Sequence, residues 1–464
     1  MEIEQRLPSE GVSERTLSVW KAVYIALMAF NLLSYSYLLA FGAAIDSIPP
    51  ILWVTRLAAV PLAIWLGKMW KDRGFWILSV YFAWFFVRLC FPTTDRLFSN
   101  EGSENVLSGL FEFAACYGLG RILTGRELKR FLGVFASVWT VTVVVYCSVG
   151  IYAAWTNQLI PSLGQGAYDI FSRQRLDMIY LSTTSGSIVS VGSLIAIISA
   201  VSVKNRAGKV LFCLALIPMM LAMALTDSRT AFVSFPAGVG VLVLTGVLAR
   251  FQKNGGSAKK AWAIGIPLMF AVFAALFFTI PRIVPVFNRL KIHGLVPAAL
   301  AEGGENVQQA IVQRSFSGGA SLVLNGRFEL WGKVFNRLFT HPISLLVGES
   351  KYFPTSSFNE FFAHCHCIYL QVLLESGIPG LLMVLSFLGM TVVNGFRAIT
   401  KKETPMLVKM IFAIVVSLCV GDLVESFMWL RSSQCMMTAT IFVCAGILNN
   451  QESSLFRNKS RLEA

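Results

Sequence analysis

Two arginines stand where the chain could bind an anion. Arg229 follows the pair Asp227-Ser228, either of which can cap a helix, and Arg327 follows Asn325-Gly326, a second helix-start signal. Cations are disfavoured in the first turn of a helix, because the N-terminal end of the helix dipole is already positive. Two arginines in this position therefore predict a bound anion that the helix dipoles and both guanidinium groups face.

A histidine close to the same sequence features could move a proton. His366 stands just before an apolar stretch, and imidazole is the side chain that ordinarily gains or loses its charge near neutral pH, which suits a general base. Two simpler interpretations stay open on the residues alone. Each arginine could extend to lipid headgroups, and a histidine at a membrane border is often a structural hydrogen-bonding group.

The stretch His364-Cys365-His366-Cys367 raises the possibility of a metal site. Consecutive residues of a helix or strand cannot all point at one ion, and no other segment rich in histidine or cysteine supplies further ligands. The segment 43–50 carries a single acidic residue, Asp46, so it offers no acidic pair for a divalent cation. We therefore expect no metal and no cofactor.

Composition places these residues in a membrane protein. The chain has 464 residues, of which 55% are hydrophobic and 14% charged, and its mean hydropathy is +0.66; soluble domains are about 45–50% apolar and about 25% charged. This excludes a soluble enzyme, a disordered scaffold and a small disulfide-rich module. The predicted fold is an all-α polytopic membrane protein with about twelve transmembrane helices. They are expected near residues 19–41, 50–67, 75–91, 105–120, 131–155, 182–203, 210–226, 230–249, 261–280, 379–396, 405–422 and 433–449.

The basic residues that give the net charge of +14 indicate how the chain is oriented in the membrane. Basic residues gather in alternate loops, such as 68–74 and 121–130, and in the C-terminal tail, while the intervening short loops hold few. By the positive-inside rule both termini are cytoplasmic. Membrane lipids, and not nucleic acid, are the expected surroundings.

One long loop interrupts the series of spans. We expect spans 1–9 within residues 1–280, an extracytoplasmic loop containing helices at 281–365, and a motif helix, spans 10–12 and a cytoplasmic tail within 366–464, all in a single integral membrane domain. Apolar residues at helical spacing predict a helix over about 327–340, stopped by His341-Pro342. It could lie on the outer membrane face or pack inside a small extracytoplasmic cap, and both place Arg327 identically.

Three charges are expected inside spans. Arg56, Arg88 and Glu112 are costly in lipid and could mark a polar path. Because both arginines lie toward the outer ends of their spans, extension to the headgroups is the preferred interpretation.

The motif residues carry a family resemblance. Ser228-Arg229 at a span start, Gly326-Arg327 followed by Trp331 in the loop, and the stretch from His366 to Gly380 resemble the O-antigen ligase family, which also contains polysaccharide polymerases. The last stretch reads His-Cys-Ile-Tyr-Leu-Gln-Val-Leu-Leu-Glu-Ser-Gly-Ile-Pro-Gly. The resemblance covers residues 226 to 383, and Cys367 stands where the family commonly has asparagine.

The resemblance implies a metal-independent glycosyltransferase of the bacterial inner membrane, with its site facing the periplasm. The donor would be a glycan on undecaprenyl diphosphate. The acceptor would be lipid A–core for a ligase or a lipid-linked repeat for a polymerase, and the ligase is preferred. Arg229, Arg327 and His366 would be catalytic, and the further expected substrate-binding residues are Arg173, Arg175 and Glu375.

A transporter or flippase is the competing class, because about twelve spans with both termini inside is also a common carrier layout. Transporters tend to have two related halves with broken helices at the bilayer midplane. Here the large loop is not at the midpoint and the halves show no evident similarity. The discriminating expectation is that Arg229, Arg327 and His366 gather at one outward-facing site.

Overall fold

The computed structural model describes residues 13–41, 50–90, 100–123, 125–156, 160–161, 167–169, 176–178, 182–286, 327–348, 365–425 and 435–450. Helices make up nearly all of this part of the chain. Those that precede the long loop are α1 (Glu14–Phe41), α2 (Pro50–Leu66), α3 (Arg73–Cys90), α4 (Asn100–Ile122), α5 (Gly125–Thr156), α6 (Ser182–Ser202), α7 (Arg206–Leu225), α8 (Arg229–Lys253) and α9 (Ala258–Thr279). Those that follow are α10 (Arg327–Thr340), α11 (Pro342–Val347), α12 (Ile368–Thr400), α13 (Met406–Gly421) and α14 (Cys435–Asn449).

The chain is a polytopic helical membrane protein. Among the described residues, seven helices are long and apolar enough to cross a membrane, and three shorter apolar helices accompany them. The described part of each of the twelve expected segments lies on a helix to within one residue at its ends, but the number of true spans stays a prediction. Likewise, the division at residues 280 and 365 and the cytoplasmic position of the termini remain predictions.

Three short strands depart from the all-helical expectation. β1 (Ile160–Pro161), β2 (Ala167–Asp169) and β3 (Asp177–Met178) form an antiparallel sheet between α5 and α6, in the order β1-β2-β3. The sheet is tied to the helices, because the Tyr146 hydroxyl donates to the Met178 carbonyl and the Leu176 amide donates to the Leu225 carbonyl at 3.0 Å. Such pairing satisfies backbone groups where the chain leaves a helix.

Helices α8 and α13 pack side by side in opposite directions. At one end, the Lys409 Nζ atom donates to Gln252 Oε1 at 2.7 Å. Farther along, a Cβ atom on Gly238 would lie 3.1 Å from Ser417 Cβ. Because residue numbers fall along α8 as they rise along α13, Arg229 at the start of α8 lies at the same end of the bundle as the residues that follow Gly421.

Helix α12 is broken near its start. Gly377 adopts φ 68° and ψ −171°, a conformation that favours glycine, and Pro379 follows it. The motif helix and the expected tenth span are therefore two segments on either side of one break. The end of α11 fits closely against it, since a Cβ atom on Gly377 would lie 2.5 Å from the Leu346 carbonyl oxygen.

Side chains of α3 bind carbonyl oxygens at this break. Trp84 Nε1 donates to the Ser376 carbonyl at 2.8 Å, and Arg88 Nη2 donates to the Gly348 carbonyl at 2.9 Å. Arg88 is buried. The expectation that Arg88 extends to the headgroups is therefore wrong, because the break offers carbonyl oxygens that its guanidinium can bind inside the protein.

Arg56 also departs from expectation. Its side chain is buried between α1, α2 and α4, where Nη2 lies 3.7 Å from Glu112 Oε2 and Nη1 donates to Ser108 Oγ at 2.5 Å. The Tyr35 hydroxyl contacts the same guanidinium. Headgroup contact is excluded for Arg56, because a carboxylate and two hydroxyls satisfy its charge within the bundle.

Candidate functional site

The carboxylate of Glu425 contacts two of the predicted site residues. Glu425 lies four residues beyond α13 and is only 2% exposed. Arg327 Nη2 lies 3.4 Å from its Oε2 atom, and His366 Nδ1 lies 3.0 Å from Oε1 and 3.1 Å from Oε2. Arg327 and His366, 39 positions apart in the sequence, thus meet on one buried anion.

The geometry of His366 assigns a role to each ring nitrogen. An ionised carboxylate can only accept a hydrogen bond, so in this contact the donor is an Nδ1–H group of His366 that faces Glu425. In a neutral imidazole of this tautomer, Nε2 is the nitrogen that carries the lone pair a general base requires. The His366 side chain is 27% exposed, whereas the Glu425 side chain is 3% exposed. The imidazole therefore lies between the buried carboxylate and the outside.

The backbone at His366 is strained. His366 has φ 50°, in the left-handed region that residues other than glycine seldom occupy. Among the described residues, the other non-glycine positions with positive φ are Lys68 and Asp227, and Asp227 stands two residues before Arg229. Strained backbone of this kind persists where the surrounding structure over-determines it, and it concentrates at functional sites.

Motif residues fix the peptide that precedes His366. Trp331 Nε1 donates to the Cys365 carbonyl at 3.0 Å, and the Cys365 amide donates to Gln371 Oε1 at 2.9 Å. Gln371 Nε2 in turn donates to Glu375 Oε1 at 2.5 Å. The motif residues Trp331, Gln371 and Glu375 thus have a common physical role, because together they hold the backbone that aims the imidazole.

A second set of contacts ties His366 to the end of α13. The Ile368 amide donates to the Asp422 carbonyl at 3.0 Å, and the Tyr369 hydroxyl donates to the Cys419 carbonyl at 3.2 Å. Since Glu425 follows directly from this segment, the two contacts set the position of the histidine relative to its carboxylate. The motif tyrosine, Tyr369, therefore also helps to fix the position of His366 relative to Glu425.

Arg229 and Arg327 both occupy the first helical position, as predicted. Ser228 caps α8, because its Oγ accepts from the Ala231 amide at 3.3 Å, and Arg229 is the first residue of that helix. Arg327 is the first residue of α10. The contacts join Arg327 directly to His366 through Glu425, while Arg229 shares their end of the bundle through the packing of α8 on α13.

The remaining predicted site residues are Arg173, Arg175 and Glu375. Arg173 and Arg175 lie outside the described residues. Glu375 is buried, and the contact that the structure shows for it is the one with Gln371. Substrate binding by these three residues stays a prediction.

The two cysteines beside His366 are poor nucleophiles. Both are buried, and burial raises the pKa of the Cys365 thiol and of the Cys367 thiol. A raised pKa keeps a thiol protonated at neutral pH, and the thiolate is the form that attacks or ligates. Within the described residues, no group of three or more histidine, cysteine, aspartate or glutamate side chains is arranged to hold a metal ion. His364 lies outside them.

Sequence reasoning missed Glu425. The signal was present, because Asp422 and Glu425 form an acidic pair at the outer end of an expected span, where a carboxylate is costly unless it has a partner. What the sequence does not carry is the pairing itself. Glu425 lies 59 residues from His366 and 98 from Arg327, and packing alone brings them together.

One comparison with known families finds a match that spans several of the predicted site residues. Residues 214–385 match a family model described as O-Antigen ligase. This range includes Arg229, Arg327, His366 and Glu375, whereas Glu425 lies beyond it. No curated protein matches the chain significantly. The match indicates a membrane glycan transferase with lipid-linked glycan substrates. The motif resemblance is confirmed, because residues 214–385 match the O-Antigen ligase model.

Proposed function

We propose that the protein transfers a glycan from undecaprenyl diphosphate to a sugar hydroxyl at the periplasmic face of the bacterial inner membrane. The observation that carries this proposal is the meeting of Arg327 and His366 on the Glu425 carboxylate. It supplies a group for the diphosphate and a group for the acceptor proton within one small region. Arg229, at the same end of the bundle, completes the anion site.

The reaction breaks one bond and forms another at the anomeric carbon. The acceptor hydroxyl oxygen attacks that carbon while its proton passes to Nε2 of His366. The bond from the carbon to the diphosphate oxygen breaks, and the electron pair stays on the leaving group. Arg327 and Arg229 stabilise the growing negative charge, and a guanidinium can bind phosphate oxygens through two parallel hydrogen bonds.

Glu425 acts through its two partners. It holds the proton of His366 on Nδ1, so that Nε2 faces the acceptor, and it stabilises the imidazolium that forms after proton transfer. The same carboxylate holds one edge of the Arg327 guanidinium. A guanidinium has five N–H donors, so contact with Glu425 is compatible with binding to phosphate.

The proposed mechanism needs no metal ion. Arginine supplies the positive charge that a divalent cation would otherwise bring to the diphosphate. Of the acidic residues Asp422 and Glu425 beyond α13, Glu425 directs its carboxylate at two basic side chains, Arg327 and His366. We expect EDTA to leave transfer unchanged, and inhibition reversed by added Mg²⁺ would contradict this.

We propose lipid A–core as the acceptor, with a lipid-linked repeat, as in a polymerase, as the second candidate. Both reactions break the same anomeric bond, so the site residues alone favour neither. Deleting the gene and examining the lipopolysaccharide separates them. Loss of a ligase leaves bare core while lipid-linked polymer accumulates, whereas loss of a polymerase leaves core that bears one repeat. Unchanged lipopolysaccharide and other surface glycans would contradict both.

Two expected residues extend the proposal. Arg173 and Arg175 fall between α5 and α6, in a loop expected on the outer side. We assign them an auxiliary role in attracting the anionic donor. A double substitution to glutamine should raise the donor KM and leave kcat unchanged. A changed kcat at saturating donor would contradict this role.

A further inference from the structure

Helix α10 buries only part of its apolar surface. One face carries three buried leucine and valine side chains, Leu330, Val334 and Leu338, and the last two of these cluster with Leu373 and Leu374 of α12. A second face carries three phenylalanines, which we call the aromatic ridge. They are Phe328, Phe335 and Phe339, with exposed fractions of 63%, 41% and 67%. Packing against the protein therefore accounts for the apolar residues of the first face but not for the exposed phenylalanines of the aromatic ridge.

The exposed part of α10 is itself divided into an apolar and a polar face. Lys333, Asn336 and Thr340 are exposed and lie together on a third face. At 3.6 residues per turn, the centres of the packed face, the aromatic ridge and the polar face lie roughly 120° apart. A helix that places an aromatic face beside a polar face is typical of segments that lie in a membrane interface.

The apolar surface continues from α10 toward a membrane span. Helix α11 exposes Ile343 and Leu346, at 68% and 58%. The Leu346 carbonyl lies at Gly377, the break in α12, and beyond that break Ile378 and Leu382 are exposed at 36% and 57%. Since α12 is among the helices long and apolar enough to cross a membrane, its exposed apolar surface faces lipid. The apolar surface of α11 thus adjoins a lipid-facing surface.

We propose that α10 and α11 lie in the interface of the outer leaflet, with the aromatic ridge inserted among the headgroups and upper acyl chains. Continuity with the exposed surface of α12 favours lipid over other occupants, such as residues 287–326, residues 349–364 or a second copy of the chain. The polar face then points to water, and the packed face keeps α10 on the protein.

One consequence rests on the proposed function. Arg327 directly precedes Phe328, so insertion of the ridge holds the guanidinium at the depth of lipid phosphates. A lipid-linked donor carries its diphosphate at that depth. Insertion of the aromatic ridge into the membrane does not depend on the proposed catalytic mechanism, and its test measures no activity.

The test uses the full chain in nanodiscs of phosphatidylethanolamine and phosphatidylglycerol, with a benzophenone amino acid incorporated at one position at a time. Phe335 and Phe339 report on the ridge, while Asn336 and Thr340 on the polar face of the same helix are matched controls. Each exposed position tolerates the bulky side chain, and gel filtration verifies folding. After irradiation, mass spectrometry identifies what each position has captured.

We expect phospholipid adducts at positions 335 and 339 at least about tenfold above those at 336 and 340. Adducts from the ridge to residues 287–326 or 349–364 would overturn the proposal, because a segment of the chain would then cover it. Adducts to a second copy, or equal lipid labelling at all four positions, would overturn it as well. Loss of glycan transfer in a ridge variant that keeps its lipid adducts would bear only on the proposed function.

Discussion

Two arginine–glutamate pairs in the described part of the chain differ in what surrounds them. Arg56 and Glu112 lie 3.7 Å apart with side chains that are 2% and 5% exposed. Arg327 and Glu425 lie 3.4 Å apart, and His366, with 27% of its side chain exposed, contacts the same carboxylate. We call Arg56 and Glu112, which lie among the helices, the closed pair. We call Arg327, Glu425 and His366, which lie at the end of the bundle, the open group.

The difference shows why one pair is suited to chemistry. In the Arg56–Glu112 pair each buried ion faces the opposite charge, and removing one partner leaves a buried charge, which commonly costs about 3–5 kcal/mol. The open group presents an imidazole edge to the outside while its carboxylate stays buried. We infer that the Arg56 pair stabilises the fold and that the Glu425 group carries the reaction.

The largest expected effect is on the rate of glycan transfer, and it distinguishes the Glu425 carboxylate from the Glu112 carboxylate. Glu425→Gln should lower the rate of transfer by about 10³–10⁴-fold, because an amide can donate to Nδ1 of His366 and so place the ring proton on Nε2. The matched variant, Glu112→Gln, should lower thermal stability and leave transfer per folded molecule unchanged. The measurements are single-turnover transfer in liposomes and thermal unfolding. Equal catalytic losses in both variants would remove the distinction between the pairs.

The next effect concerns the arginine of the open group. Arg327→Ala should lower transfer by about 10²–10³-fold with membrane insertion and abundance near normal, because it removes charge stabilisation of the leaving diphosphate. Arg327→Lys should restore little, since an ammonium cannot make two parallel contacts with phosphate. Arg229→Ala should resemble Arg327→Ala.

The measurement is the rate of transfer alongside quantitative immunoblotting of membranes. Full activity in Arg327→Ala would exclude the residue from the site. A variant that is absent from the membrane would show that the arginine serves mainly to neutralise Glu425.

A smaller effect distinguishes positioning from substrate contact at Glu375. The Gln371 side chain donates to this carboxylate. Glu375→Gln keeps an oxygen acceptor, so kcat should change less than about tenfold, whereas Glu375→Leu should lower kcat further by releasing the peptide before His366. Steady-state kinetics with varied donor and acceptor provide the test. A raised KM in both variants, with kcat unchanged, would instead support substrate binding.

The smallest effect concerns the thiols. Burial raises the pKa of the Cys367 thiol, so the group stays protonated as pH rises through the neutral range, and reactivity that depends on the thiolate should appear only at higher pH. Cys367→Ala should leave transfer within about tenfold of the wild type. Maleimide at neutral pH should modify Cys367 slowly, because its buried thiol stays protonated. Rapid labelling of Cys367 accompanied by inactivation would contradict this account.

Much of the fold and part of the site could be predicted from sequence. Apolar runs gave the helices, and the helix-start signals placed Arg229 and Arg327 correctly in first turns. These features depend on residues close together in the chain, where periodicity and capping are informative. The amphipathic pattern also gave α10 its bounds at Arg327 and Thr340.

Features set by distant packing could not be predicted in the same way. The Glu425 contacts, the burial of Arg56 and the binding of Gly348 by Arg88 each depend on which helices become neighbours. A charge in an apolar run signals a cost, and the sequence does not say whether lipid headgroups or another helix relieves it.

The most direct test of the central claim is to measure donor binding and glycan transfer separately for His366→Ala in purified enzyme. The proposed mechanism predicts donor binding close to wild type and transfer lowered by about 10²–10⁴-fold, because the arginines hold the diphosphate while the imidazole removes the acceptor proton. His364→Ala is the matched control and should be mild. Loss of donor binding in His366→Ala, with transfer per bound donor unchanged, would contradict the assignment of His366 as the base.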